Sequence, residues 1–128
     1  NIRANFLKNQ TPYTPNILGI ALLNKQAGFV GNNEIIDEKI KSRAANFYQF
    51  IKTQTAFDPL IETEKVQSPT VITIRSKETD VLNVIEEMKA KGITLGKGYG
   101  EWKNDTFRVA NFPAITDSEF EYLMKALN

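Results

Sequence analysis

The chain has 128 residues, with 16 basic and 15 acidic side chains and neither histidine nor cysteine. That length suits one domain with its own core, and the near-cancelling charge argues against a nucleic-acid or membrane-surface binder. Disulfides, thiolate metal sites and a cysteine nucleophile are excluded, and the commonest general base and metal ligand is missing, so chemistry falls to carboxylates, lysines or a borrowed cofactor and no metal site is expected. No apolar run reaches the length of a membrane span and no signal peptide opens the chain, so a cytoplasmic protein is expected. The first residue is Asn1 rather than methionine, which reads as a fragment or a processed product.

In chain order, residues 2–7 read as a short helical lead-in. Thr11-Pro12-Tyr13-Thr14-Pro15-Asn16 follows, with Thr14 a good N-cap and Pro15 suited to the first helical position. The helix is predicted over 16–26, with Gly28 as its stop. Its interior, Ile17-Leu18-Gly19-Ile20-Ala21-Leu22-Leu23, is apolar nearly all round and calls for burial on every side. One small domain rarely supplies that, so this helix is expected to meet another domain or another subunit. After a turn over 29–32, Asn32 or Asn33 caps a long helix over 33–53. Ile36, Ile40, Ala44, Phe47 and Ile51 form its buried stripe, and Lys39, Lys41 and Arg43 its solvated face.

A short strand is predicted over 57–62, and a β-branched strand, the clearest in the chain, over 70–75. Ser76 then caps a helix over 77–91 that buries Val81, Ile85 and Met88 and ends at Gly92. Residues 92–111, GITLGKGYGEWKNDTFRVAN, read as strand, glycine-rich loop and strand. Thr116 and Glu119 form a capping box for a last helix that buries Phe120, Leu123, Met124 and Leu127. This order predicts an α+β fold. It is a two-layer sandwich with a mostly antiparallel sheet of about four strands, covered by helices on one face and preceded by the apolar interdomain helix. The division expected is 1–28 for linker and interdomain helix and 29–128 for the sandwich.

The candidate site follows from alternation in the last strand. Phe107 and Val109 share one face, which a core would claim, so Arg108 must point away from it. A guanidinium keeps its charge and offers a planar fork that matches a carboxylate or phosphate. Gly96, Gly98 and Gly100 alternate with Lys97 and Tyr99 beside it, where glycine permits positive φ or close approach of a ligand. The residues alone leave two readings, an anion pocket or a solvated strand arginine beside an ordinary loop.

The run Gly98-Tyr99-Gly100, a polar insert, and Phe107-Arg108-Val109-Ala110-Asn111-Phe112-Pro113-Ala114 resembles the C-terminal end of class V pyridoxal-phosphate aminotransferases, especially phosphoserine aminotransferase-like members. The threonine-proline segment leading into an apolar helix is similar too. The resemblance spans essentially the whole chain, as the small C-terminal domain of a larger enzyme. It implies that Arg108 clamps the α-carboxylate of an amino acid or 2-oxo acid substrate, with Lys97 and Tyr99 nearby. It also implies that Thr11 and Thr14 match positions that grip the cofactor phosphate across a homodimer interface, a role suited to a helix N-terminus. The Schiff-base lysine and the aspartate on the pyridine nitrogen belong to the large pyridoxal 5'-phosphate-binding domain, so no catalytic residue is expected in this chain. One departure concerns a histidine-arginine pair that such enzymes carry just upstream of the carboxylate arginine. This chain has no histidine, and only Lys97 or Lys103 could stand in as point charges, so transamination of phosphoserine, alanine, serine or glyoxylate stays open. The alternative is a stand-alone α+β ligand-binding or regulatory module for a small carboxylate.

Overall fold

The computed structural model describes residues 2–77 and 80–128. Contacts divide the chain into two units, Asn1–Asn33 and Glu34–Asn128. The N-terminal unit holds α1 (Ile2–Phe6) and α2 (Ile17–Val30). The cap of α2 is Asn16 rather than Thr14, because the Asn16 Oδ1 accepts the Gly19 N–H at 2.8 Å and satisfies one of the helix's orphan donors. Pro15 therefore precedes the helix. Gly28 passes inside it, and the end comes at Gly31, whose φ of 71° suits a residue without Cβ. Ile17, Leu18, Ile20, Leu22 and Leu23 are between 58% and 71% exposed, so the apolar surface of this helix faces solvent.

The second unit carries α3 (Asn33–Thr53), β1 (Phe57–Pro59), β2 (Val71–Ser76), α4 (Val81–Ala90), β3 (Gly96–Lys97), β4 (Thr106–Ala110) and α5 (Asp117–Leu127). The strands form one sheet in the order β1-β2-β4-β3, every neighbouring pair antiparallel. Ile72 and Ile74 of β2, with Phe107 and Val109 of β4, meet Phe47 and Ile51 of α3 in the core. Val84 and Met88 of α4, with Phe120 and Leu123 of α5, complete it. Edge-on ring contacts join helix to helix, Phe47 to Phe120 at 5.5 Å, and strand to strand, Phe57 to Phe107 at 5.6 Å. The expected two-layer α+β sandwich is what forms.

Two further local expectations are corrected in this unit. Ser76 does not cap α4. It is the last residue of β2, paired with Phe57, and Asp80 caps the helix by accepting the Leu82 N–H at 3.0 Å. Positions 78–79 of the expected helix lie outside the described residues. Gly92, at φ 79°, does end α4, with Gly92 N donating to Lys89 O and Ile93 N donating to Met88 O. The second correction is Arg43, which is buried rather than solvated. Three residues beyond Ile40, it falls on the apolar stripe, and its guanidinium lies 5.1 Å from the centre of the Phe120 ring. Its Nη1 donates to Ile115 O and lies 3.5 Å from Asp117 Oδ1.

Arg43 and Asn111 together bind the segment after β4 to α3. Asn111 is fully buried, and its Nδ2 donates to Ile40 O at 2.9 Å and Pro69 O at 2.7 Å. Arg43 holds the other end of the segment, at Ile115, one helical turn further along α3. Removing the Asn111 amide leaves the part-buried Pro69 carbonyl without its donor and empties a fully buried position. Asn111→Ala is therefore expected to lower stability by about 1–3 kcal/mol in urea unfolding. A loss within the ~0.5 kcal/mol typical of surface changes would show that the tie is not a fold determinant.

Candidate functional site

Burial of Phe107 and Val109 fixes the other face of β4. Arg108 emerges there, half-buried, in register with Thr73 on β2 and Gly96 on β3. Its Nε donates to the Lys97 carbonyl at 2.8 Å, which stops the side chain from swinging. That bond leaves the two terminal amino groups of the guanidinium. Among the described residues neither has a carboxylate at ion-pair distance. A fork held by Nε and open at its end is the geometry that takes a carboxylate end-on with two parallel hydrogen bonds. Gly96 lies beside it, where an added Cβ would come 3.4 Å from Arg108 Cβ.

The glycine-rich loop is closed on itself. Gly98 N donates to Thr106 O at 2.9 Å, Thr106 Oγ1 donates to Trp102 O at 2.7 Å, and Gly100 takes a φ of 57° to enter the short 3₁₀ turn Gly100–Trp102. A Cβ on Gly98 would stand 2.2 Å from Thr106 Oγ1 and 2.5 Å from Trp102 O. Of the positive φ or close ligand approach expected for these glycines, Gly100 shows the positive φ, whereas the close approach at Gly98 is to the loop's own chain. Thr106 shares the Arg108 face, yet it is fully buried, because this turn folds over it. The loop is a wall built beside the arginine.

The other residues singled out from sequence are placed as follows. Lys97 is in register with Phe107, so its side chain leaves the sheet on the opposite side from Arg108, and its carbonyl is what meets the arginine. Tyr99 is 80% exposed at the start of the turn, and its carbonyl accepts from Trp102 N. Thr11 and Thr14 lie exposed in the N-terminal unit, where Thr11 Oγ1 donates to Tyr13 O at 2.6 Å. Sequence reasoning passed over Arg75. Ile72 and Ile74 point into the core, so Thr73 and Arg75 stand on the same face as Arg108. That Arg75 also lies close to Arg108 is revealed only by the β2–β4 register, which is not local in sequence.

A cavity of about 310 Å³ lined by Lys41, Tyr48, Lys52 and Glu64 lies against α3. Its lysines are already paired with Asp37 and Glu64, and the Lys52 hydrogen bond holds the Glu64 carboxyl below its ordinary value. Tyr48 there is pushed up by burial and donates to Ser68 O. That charge balance offers a ligand less than the open end of Arg108. Among the described residues no cluster of three carboxylates could hold a metal, and no helix is long and apolar enough to cross a membrane.

No protein-family model matches the chain. Individual proteins do. Phosphoserine aminotransferase of Corynebacterium glutamicum is 25% identical over 128 residues, 97% of this chain and 34% of that protein. A relative from Mycobacterium leprae is 27% identical over the same share of this chain. The crystal structure of a phosphoserine aminotransferase from Cytophaga hutchinsonii superposes with a TM-score of 0.86 at 28% identity, covering 98% of this chain and 35% of that one. A NifS-like protein from Rickettsia africae shares the fold, with a TM-score of 0.60 over 70% of this chain. The chain thus spans 34% of the length of the curated relatives it first matches. The resemblance to the C-terminal domain of phosphoserine aminotransferase-like enzymes is borne out along nearly its whole length.

The loop geometry carries its own test. Gly98→Ala has no room, so it should cost about 1–3 kcal/mol in denaturant unfolding, as overpacking does. Gly28→Ala, with nothing within 4 Å of the new Cβ and a helical backbone, should be neutral or stabilising. Equal effects at the two sites would mean that the wall beside Arg108 is not closed by Gly98.

Proposed function

We propose that this chain is the substrate-binding small domain of a pyridoxal 5'-phosphate-dependent aminotransferase, completed by a large cofactor-binding domain of the same polypeptide and working as a homodimer. The observation that carries the reading is the Arg108 guanidinium, fixed through Nε and open at its terminal amino groups. Every amino acid and every 2-oxo acid exchanged in transamination bears a carboxylate next to the reacting carbon. Gripping it end-on sets the direction in which the amino or keto group points, and orientation of that kind accounts for much of a catalyst's advantage. The Lys97 carbonyl does the positioning by holding Nε, and the Gly98–Thr106–Trp102 closure keeps the neighbouring wall in place. In this reading Tyr99, at the start of that wall, lines the substrate side, and Lys97 contributes through its backbone.

The cofactor's phosphate fits hydroxyl donors, and Thr11 and Thr14 at the approach to α2 would hold it. Thr14 offers its hydroxyl directly. Thr11 must first turn its proton away from Tyr13 O. The amide of Gly19 is already taken by Asn16, so the helix end itself contributes less than an uncapped one. When bound, pyridoxal phosphate supplies the electron sink that stabilises negative charge at the substrate's α-carbon. The lysine that carries it belongs to the large domain, and this domain alone is inactive.

The test is the arginine in the full-length enzyme. Arg108→Ala removes two charge-assisted hydrogen bonds, each contributing about 1.5–3 kcal/mol, so kcat/KM should fall by roughly two to four orders of magnitude. Arg108→Lys keeps the charge but not the fork and should recover only a small part. Near-normal kcat/KM in Arg108→Ala would overturn the proposal. Unfolding of the variant would assign Arg108 a structural task instead.

A further inference from the structure

Arg108 reaches its anchor by crossing a strand. Hydrogen bonds alternate along an antiparallel ladder, and the Gly98 N–H goes to Thr106 O at 2.9 Å. Lys97, one residue earlier, therefore turns its carbonyl away from β4, toward the free edge that β3 forms at the end of the sheet. Arg108 Nε meets that carbonyl at 2.8 Å, so the side chain passes over β3 from the β4 side to the outer side.

What it passes over is Gly96. The two residues are in register and share a face of the sheet. A Cβ at Gly96 would stand 3.4 Å from Arg108 Cβ and 3.6 Å from Arg108 Nε, in contact with both ends of the arginine's aliphatic stem. The backbone does not require glycine here. Gly96 takes no positive φ, and a strand position ordinarily favours a β-branched side chain. Glycine in a strand marks either a bend or a close approach, and at Gly96 the approach is that of Arg108.

We infer that Gly96 is a positioning residue: it keeps open the path along which Arg108 crosses β3, and so sets where the open end of the guanidinium stands. The inference rests on the reading of Arg108 as the carboxylate clamp. Alanine still fits at this position, because 3.4 Å and 3.6 Å are ordinary van der Waals contacts. Valine does not. Its γ-carbons extend one bond further into the space that Arg108 fills, and the arginine must lift off the Lys97 carbonyl to make room.

The experiment compares Gly96→Ala and Gly96→Val in the full-length protein, by calorimetric titration with propionate and by urea unfolding. Gly96→Ala should bind propionate within about threefold of wild type, and Gly96→Val should bind it about tenfold more weakly or worse, as loss of a charge-assisted hydrogen bond does. The urea midpoint of Gly96→Val should be unchanged or raised, since valine suits a strand. Arg108→Gln should weaken propionate as much, and adding Gly96→Val to Arg108→Gln should change affinity by less than about twofold, because Gly96 acts only through the arginine. Wild-type affinity in Gly96→Val overturns the role of Gly96 and leaves the Arg108 clamp standing. A loss of binding that comes with a lowered urea midpoint also overturns it and assigns Gly96 to the fold. Propionate binding that ignores Arg108→Gln, or none in the wild-type protein, overturns the clamp and the inference with it.

Discussion

Apolar side chains must leave water, and in this chain that one constraint decides both what is folded and where the proposed site lies. In β4 it draws Phe107 and Val109 beneath the helices, and by alternation it turns Arg108 outward. A permanently charged group thus reaches the open side of the sheet only half-buried, and its Nε is held by one carbonyl. The same constraint acts on β2, where Ile72 and Ile74 go in and Arg75 goes out. The proposed site sits on the face the core did not need.

The constraint is unsatisfied at α2. Its five large aliphatic side chains from Ile17 to Leu23 are exposed, while those of the second unit surround a continuous core. A stand-alone binding module would carry such a surface at a cost. The chain spans 34% of the first relatives it matches, and in the proposed reading the rest of such an enzyme would cover that surface. This is why the reading as part of a larger aminotransferase is preferred to the module.

Much of the fold was legible because side-chain periodicity is local. The stripe from Ile36 to Ile51 placed α3 over 33–53, and the Thr116–Glu119 capping box marked the start of α5. Glu119 is held below its ordinary value by the hydrogen bonds from Thr116, a trace of the same box. Helix caps were harder, since Thr14 and Asn16, or Ser76 and Asp80, are chemically alike and only the path of the chain chooses between them. Arg43 was misread because its charge outweighed its place three residues after Ile40. Of the candidate site, alternation showed that Arg108 faces away from the core, and its role as a carboxylate clamp came only from the family resemblance. Its link to Lys97 O and the nearness of Arg75 depend on strand register, which joins residues far apart in sequence.

Sedimentation of the 128-residue chain by itself tests the central claim, that this domain is built to be covered by more protein. With the aliphatic surface of α2 in water, the account predicts concentration-dependent association, abolished when Leu18, Leu22 and Leu23 are changed together to glutamine. A clean monomer at high concentration, indifferent to those substitutions, would contradict it.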